Sequence, residues 1–373
     1  MIDLEADLIP LDHAEHRVTE TTVAFADGQR QPTLTVVIPT YSRVETLDGA
    51  LAALARQTIA DQLEVIVVDD GSFLDRSRLI QNFGVRLIRH ETNRGVAAAR
   101  NTGWRAATAS RVAFLDDDCE PDAEWAANYL KALDQGVRAV GGPVIPATDT
   151  SFLGGYLRRN NPLVPSEIEL AQTPTLPFRF ARYLLRSFQR IPERRGSDSR
   201  RPVLWLLGAN MALEVQTLEE LGGFDERFRH GAEDADLCRR LQQRHSLSAV
   251  QFDPEILVSH HLDETLSDIV RRQTLYGGSL AGLYRKHQDV PATLYPWPWL
   301  GLILSILSLR HPKAMLFVAV LPQILYARGL RESWTTHTLA PLFDCYVRML
   351  EEMAHDFGFV MGLWKFRDLH PSD

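Results

Sequence analysis

The stretch LTVVIPTYSRVETLDGALAALARQTIADQLEVIVVDDGS, residues 34–72, contains the pattern that decides the fold. Residues 34–38 and 63–68 are short runs rich in β-branched side chains, and they end at a proline and at Asp-Asp-Gly respectively, which predicts two buried strands. Between them, Leu47, Leu51 and Leu54 recur at helical spacing. A strand, a helix and a second strand in this order form the repeating unit of a parallel sheet.

The alternation of strands and helices continues toward the carboxyl terminus. Further strands are predicted at residues 85–89, 111–115, 138–142 and 256–259, and further helices at 95–109, 216–221 and 232–243. Because proline suits the first turn of a helix, Pro121 predicts the start of another helix, with Trp125 and Tyr129 on its apolar face. The predicted fold class is α/β, with a doubly wound, mostly parallel sheet, flanking helices and a short N-terminal strand at residues 21–25.

The composition excludes several classes of protein. Apolar residues make up 45% and charged residues 24% of the 373 residues, which is ordinary for a globular chain and excludes a wholly disordered one. The formal net charge of −8 argues against nucleic acid as a partner. The cysteines, Cys119, Cys238 and Cys345, lie too far apart for a disulfide framework, so we expect a cytoplasmic setting, and the acidic N-terminus predicts no secretory signal.

Polar residues follow three of the predicted strands. The first strand runs into residues 39–41, the second into 69–72 and the fourth into the triplet Asp-Asp-Asp at 116–118. Open α/β sheets bind ligands beyond the carboxyl ends of their strands, so these groups are expected to converge. Three adjacent carboxylates repel one another, and Mg²⁺ or Mn²⁺ would relieve the repulsion, although a solvated turn is the alternative for the triplet alone.

The fingerprints of other α/β enzymes are absent from the sequence. No G-x-G-x-x-G follows a predicted strand and no G-x-x-x-x-G-K-[ST] occurs, which disfavours a dinucleotide dehydrogenase and a P-loop NTPase. Residues 277–281, GGSLA, miss the G-x-S-x-G pattern of a hydrolase at its last position.

Five ordered motifs point to a known family. They are TVVIPTYSR, VVDDGS, NRGVAAARNTG, FLDDDCEPDAEW, and GGFDERF followed by EDADLCRR. With these motifs, residues 33–262 resemble the inverting family 2 glycosyltransferases, which have the GT-A fold. The resemblance implies a metal-dependent, hexosyltransferase-type enzyme that moves a sugar from a nucleotide-diphosphate sugar, here a UDP-sugar, to an acceptor hydroxyl. The Q-x-x-R-W pattern of processive relatives is absent, so one sugar per encounter is expected.

The resemblance also implies roles for individual residues. The nucleotide-sugar would contact Pro39, Thr40, Tyr41, Asp70, Asn93, Arg94, Gly95, Arg100, Asp116 and Asp117. Within this set Asp70 would accept the imide N–H of uracil. Arg100 would neutralise phosphate or orient the aspartates.

Metal-binding and base residues follow from the same resemblance. Asp118 of the D-x-D element would bind Mn²⁺ or Mg²⁺, with Asp116 and His260 as further ligands, whereas Cys119 is expected to be a small buried residue. Asp234 would be the catalytic base, and its neighbour Glu233 is the alternative. Two other functions stay open: an inactive module that binds nucleotide-sugar for assembly, and a nucleotidyltransferase.

Three regions are predicted along the chain. Residues 1–31 form an N-terminal extension, 32–265 the glycosyltransferase domain, and 266–373 a helical C-terminal region. Within the domain, residues 151–202 contain ten arginines and four acids. This insert is either a solvated segment with locally paired arginines or a basic lip on the acceptor side that attracts an anionic substrate or lipid headgroups.

The C-terminal region contains two apolar runs, at residues 297–309 and 314–326. Each run is too short to span a bilayer. Two interpretations stay open: helices that pack on the catalytic domain or across a homodimer, or a hairpin that lies in the inner face of the membrane. The second interpretation would suit a lipid-linked acceptor.

Overall fold

The computed structural model describes residues 18–21, 31–42, 44–72, 84–147, 151–163, 199–262, 265–290, 294–308, 320, 322–323 and 328–370. The strands are β1 (Val18–Thr21), β2 (Leu34–Thr40), β3 (Leu63–Asp69), β4 (Arg86–His90), β5 (Arg111–Leu115), β6 (Cys119–Pro121), β7 (Ala139–Gly141), β8 (Val144–Ala147), β9 (Arg201–Pro202), β10 (Asn210–Glu214), β11 (Val250–Phe252) and β12 (Val258–His261). The α-helices are α1 (Val44–Ala55), α2 (Val96–Arg105), α3 (Trp125–Asp134), α4 (Phe152–Arg159), α5 (Val215–Leu221), α6 (Glu233–Arg244), α7 (Leu266–Lys286), α8 (Pro296–Ser308), α9 (Arg328–Thr336) and α10 (Asp344–Lys365).

The central sheet has the strand order β1-β4-β3-β2-β5-β10-β7-β11-β9 among the described residues. Strands β4, β3, β2 and β5 are parallel to one another, whereas β10 runs antiparallel between β5 and β7. Strand β11 then pairs with β7 in parallel. The predicted fold class is confirmed, and the reversal at β10 makes the sheet mixed.

Strand β2 is buried on both faces, and its side chains alternate between two cores. Val36 packs in the cluster that contains Leu47 of α1, whereas Val37 packs in the cluster that contains Trp104 of α2. A Cβ on Gly103 would lie 2.2 Å from Val37, so a glycine is needed where α2 crosses the sheet. Helices therefore cover both faces, as a doubly wound sheet requires.

Two predicted element boundaries are wrong, for one shared reason. Pro121 does not start a helix: it ends β6, and the helix begins at Trp125. The last strand lies at Val258–His261 rather than at 256–259, because β12 pairs with β6 and β8 in a separate three-stranded sheet. Proline is tolerated at the end of such a short strand because few ladder hydrogen bonds are lost.

Other predicted elements shift or fall outside the described residues. The helix predicted at 95–109 ends at Arg105, and the N-terminal strand lies at Val18–Thr21 rather than 21–25. The insert is described only at its ends, so residues 164–198 lie outside the described part, as does most of the second apolar run.

The C-terminal region is helical, and α7 packs closely on α10. A Cβ on Gly277 would lie 2.0 Å from the carbonyl oxygen of His355, and one on Gly358 would lie 1.9 Å from that of Thr274. The Gly-Gly pair that resembles part of a hydrolase motif therefore permits backbone contact between two helices. Within the described residues, no helix has the length and apolar character needed to cross a membrane.

Candidate active site

The ends of β2 and β5 meet at the carboxyl edge of the parallel half of the sheet. Thr40 ends β2, and its Oγ1 donates a hydrogen bond of 2.5 Å to Oδ2 of Asp117, which follows β5. Pro39 is buried beside Thr40, while the ring of Tyr41 is 49% exposed just beyond the strand. The residues predicted for the nucleotide from these two strands thus lie together.

Asp70 organises the turn that precedes α2. Its Oδ1 accepts the backbone N–H of Arg94 at 2.9 Å and pairs with Nδ1 of His90 at 2.7 Å, and its Oδ2 accepts the N–H of Gly95 at 2.8 Å. Gly95 has φ +94°, and a Cβ there would lie 3.1 Å from the backbone of Arg229. In the structure Asp70 therefore holds the turn through hydrogen bonds within the protein. Its contact with the uracil base of the nucleotide stays a prediction.

The two remaining residues of this turn contact the GGFDERF segment at 222–228 and the arginine that follows it. The guanidinium of Arg94 donates to Glu226 at 3.1 Å, and that of Arg229 donates to the carbonyl oxygen of Asn93 at 2.9 Å. Residues 93–95 are thus fixed from both sides, by Asp70 beneath them and by the segment before α6.

Arg100 joins two parts of the predicted site. Its side chain is buried in α2; Nη2 donates to Oδ1 of Asp116 at 2.7 Å, and Nη1 donates to Oε1 of Glu233. Burial opposes the charged guanidinium, but the carboxylates of Asp116, Glu233 and Asp234 outweigh this effect and raise the pKa of Arg100. The D-x-D loop and the start of α6 therefore border the same site.

The first turn of α6 presents Glu233 and Asp234 differently. Glu233 is buried against Arg100, whereas Asp234 is partly exposed and accepts N–H groups of Gly208 at 2.8 Å and Ala235 at 2.7 Å. Burial and the charge of Asp234 raise the pKa of Glu233 to about 7, and burial also raises the pKa of Asp234. Ala232 precedes both with φ +69°, a strained conformation for a residue other than glycine.

Gly208 is a site residue that the sequence analysis missed. Its N–H donates to Asp234, and a Cβ on it would lie 2.6 Å from Cζ of Arg100. A side chain at this position would therefore displace the guanidinium. The only signal in the sequence is a glycine before β10 in an otherwise apolar run.

The small sheet brings His260 to the D-x-D loop. Its register places His260 opposite Cys119, and the backbone N–H of His261 donates to the carbonyl oxygen of Asp118 at 2.8 Å. As a result, Nε2 of His260 lies 3.3 Å from Oδ1 of Asp118. One ligand atom from each of Asp118, Cys119 and His260 lies within 4.8 Å of the others, and all three residues are buried.

These donors fit a divalent ion. A carboxylate and an imidazole suit Mn²⁺ or Mg²⁺, whereas burial, followed by the charges of nearby aspartates, raises the pKa of the Cys119 thiol well above its ordinary value. Cys119 therefore lies in the cluster as a neutral thiol. Oδ1 of Asp116 accepts a hydrogen bond from Arg100, and its role as a further metal ligand stays a prediction.

A second buried ion cluster supports α6 and was also missed. Nζ of Lys286 lies 2.6 Å from Asp225 and 2.8 Å from Asp236, and Nε2 of His287 lies 2.8 Å from Asp236. These contacts fix the end of α7 to the helix that begins with Glu233 and Asp234. Asp236 can be recognised in the sequence as the last acid of the EDAD motif. It follows Asp234 by two residues and therefore lies on another face of the helix.

Comparison with known families agrees with this geometry. The protein-family model described as Glycosyl transferase family 2 matches residues 35–191. The family model described as Glycosyl transferase family group 2 matches residues 148–343, and this second match covers more than half of the chain.

Individual proteins with similar sequence or fold are also glycosyltransferases. The chain is 29% identical to the pre-mycofactocin glycosyltransferase of Mycobacterium tuberculosis over 82% of its own length and 59% of that protein. It is 33% identical to validoxylamine A glucosyltransferase of Streptomyces hygroscopicus over 56% of its own length and 51% of that protein. The chain thus matches between half and three fifths of the length of these relatives.

A solved structure shares the fold. The mannosyltransferase PcManGT of Pyrobaculum calidifontis, in complex with GDP-Man and Mn²⁺, superposes with a TM-score of 0.50 at 20% identity, covering 90% of this chain and 88% of that one. The predicted GT-A fold is thereby confirmed.

Proposed function

Because the chain belongs to the family 2 glycosyltransferases, we propose that it transfers one sugar from a nucleotide-diphosphate sugar to an acceptor hydroxyl, with inversion at the anomeric carbon. The observation that carries the proposal is the Arg100 bridge. It links Asp116, after β5, to Glu233, in the first turn of α6. The carboxylates proposed to bind the sugar donor and to act as the catalytic base therefore border one site.

Asp234 is the better candidate for the catalytic base. The guanidinium of Arg100 compensates Glu233, whereas Asp234 is partly exposed and, among the described residues, its hydrogen bonds come from backbone N–H groups rather than from an arginine. The N-terminus of α6 favours the ionised carboxylate, and desolvation raises its proton affinity. Gly208 and Ala235 hold the side chain in one orientation through their N–H groups.

The proposed reaction uses these residues as follows. Asp234 takes the proton of the acceptor hydroxyl while that oxygen forms a bond to the anomeric carbon. The bond between the anomeric carbon and the diphosphate breaks on the opposite face, and the nucleoside diphosphate leaves with the electron pair. One proton and one glycosyl group are thus moved, and no oxidant or reductant is required.

Asp118 and His260 would hold Mn²⁺ or Mg²⁺, which when bound supplies positive charge beside the diphosphate. The pairing of β6 with β12 fixes these two side chains relative to each other. Thr40 orients Asp117 and Arg100 orients Asp116, so the two aspartates that precede Asp118 are held by hydrogen bonds. The proposed preference for uridine depends on Asp70.

The proposal is tested with the purified full-length chain, a panel of uridine and guanosine diphosphate sugars, and acceptor alcohols, with and without Mn²⁺. We expect acceptor-dependent release of a nucleoside diphosphate from one uridine donor, and the NMR coupling constant of the product should show the opposite anomer. Release of pyrophosphate from a nucleoside triphosphate would instead indicate a nucleotidyltransferase. Donor binding without turnover for every donor and acceptor would indicate a binding module and contradict the proposal.

A further inference from the structure

Helices α8 and α10 expose large apolar side chains to solvent. On α8 these are Leu300, Ile303, Ile306 and Leu307, of which Ile306 is 58% exposed. On α10, exposed apolar residues recur at helical spacing at Leu350, Phe357, Met361 and Trp364. Apolar surface on this scale marks an interaction site more often than chance exposure.

Helix α8 packs on α10, and the exposed apolar side chains of the two helices are together named the α8–α10 face. Nε1 of Trp299 donates to Asp356 of α10 at 3.0 Å, and the backbone N–H of Tyr295 donates to the same carboxylate. A Cβ on Gly301 would lie 3.4 Å from Cε of Met349, so α8 rests directly on α10. Trp299 of α8 and Tyr295 just before it therefore direct these N–H groups toward α10.

The charges of α10 are divided between its inner and outer sides. Its four acids are Asp344, Glu351, Glu352 and Asp356, and none is more than 8% exposed. By contrast, Lys365 near the end of α10 is exposed, whereas Arg348 pairs with Glu352 one turn away. In the sequence, residues 290–331 contain four arginines or lysines and no acid. The exposed charges of the described α8 and α10 are therefore basic.

We infer that the α8–α10 face docks on an anionic lipid surface, with both helices lying in the headgroup region. Apolar side chains with tryptophan and basic residues at the edge are typical of helices that lie in a bilayer interface. Anionic headgroups complement the exposed Lys365 beside Trp364, whereas a second copy of the chain packed symmetrically on this face would bring the same lysine toward itself. The inference concerns attachment and does not depend on the proposed transferase activity.

Flotation of the full-length chain with vesicles tests the inference. One vesicle is phosphatidylcholine alone and the other also contains phosphatidylglycerol. We expect a preference of about tenfold for the anionic vesicles, which falls as salt is added. Ile306→Glu/Leu307→Glu and Val360→Glu/Trp364→Glu should each lose most of the binding; Val360 belongs to the same face and is 62% exposed. Leu247→Glu, at an exposed apolar position in the turn Leu247–Ala249, is the matched control and should bind as wild type does.

A second measurement covers variants that fold poorly. Brominated lipid in the anionic vesicles should quench tryptophan fluorescence of the wild type, and Trp364→Phe should reduce that quenching. The inference is overturned if the wild type floats with neither vesicle, or if the face variants bind as well as Leu247→Glu. It is also overturned if sedimentation shows a dimer that Ile306→Glu/Leu307→Glu converts to a monomer while vesicle binding is absent, since the occupant would then be a second copy.

Discussion

Arg100 and Glu233 form a buried ion pair although 133 residues separate them in the sequence. The same guanidinium binds Asp116, so one side chain connects α2, the loop after β5 and the first turn of α6. Asp234, the proposed base, follows directly after Glu233. The position of the base is therefore tied to the position of the D-x-D loop.

Replacement of Arg100 should cost both stability and turnover. Arg100→Met would leave the carboxylates of Glu233 and Asp116 without their compensating charge, so the free energy of unfolding should fall by about 3–5 kcal/mol. Urea denaturation monitored by circular dichroism measures this change. The matched control is Arg111→Met, because Arg111 pairs with the exposed Asp134 and should change stability by less than about 1 kcal/mol. Equal stability of Arg100→Met and wild type would contradict the role given to the bridge.

Gly208→Ala should slow catalysis without removing any polar group. The added methyl would lie 2.6 Å from Cζ of Arg100, so either the guanidinium or the backbone of residue 208, whose N–H holds Asp234, must move. We expect kcat to fall by about 10- to 100-fold while donor affinity changes little. Gly301→Ala is the control, since a Cβ there makes only ordinary contact. Unchanged kcat in Gly208→Ala would show that the base tolerates the displacement.

Adjacent histidines provide a test of the metal site. His260 lies 3.3 Å from Asp118, whereas His261 points to Glu120, with 3.0 Å between Nε2 and Oε1. His260→Ala should weaken Mn²⁺-dependent binding of UDP by at least about tenfold, and His261→Ala should have little effect. Isothermal titration with and without Mn²⁺ measures both variants. If the two substitutions had the same effect, His260 would not be a ligand.

The Lys286 cluster predicts how stability depends on pH. Burial acts to raise the pKa of Asp225, but hydrogen bonds from Arg227 and Lys286 outweigh it and place the pKa below its ordinary value; the pKa of Asp236 is lowered as well. A carboxyl with a lowered pKa in the folded state contributes stability above its unfolded pKa of about 3.9 and loses it as pH falls toward the folded pKa.

Lys286→Met should reveal that contribution. At neutral pH the free energy of unfolding of the variant should be about 1.5–3 kcal/mol below that of wild type, because two largely buried carboxylates each lose one of their charged partners. The difference should shrink below about pH 4, where the carboxyls become protonated. Urea denaturation across this pH range gives the comparison. A difference that stays constant with pH would mean that Lys286 acts through packing rather than charge.

Local patterns predicted much of the fold and of the strand ends. The β-branched runs of β2, β3 and β5 identify buried strands because such runs bury both faces, and the polar groups that follow them mark the ligand edge. The family motifs predicted which residues would gather there. Their individual roles stay predictions until variants are measured.

Contacts between distant segments could not be predicted in this way. The pairing of β6 with β12, which brings His260 to Asp118, depends on a register across almost 140 residues, and Pro121 alone favoured a helix start. The link from Arg100 to Glu233 and the contact of Gly208 with Arg100 are likewise tertiary. The residue pattern within one segment does not show which distant segment it will contact.

The central claim is that Asp234 is the base of a site assembled around the Arg100 bridge, and kcat of Asp234→Asn compared with Glu233→Gln tests it most directly. Donor binding by each variant is measured in parallel. We predict that Asp234→Asn binds donor as wild type does but loses about 10²- to 10⁴-fold in kcat, while Glu233→Gln loses much less. Near-normal turnover by Asp234→Asn, or a larger loss in Glu233→Gln, would contradict the account.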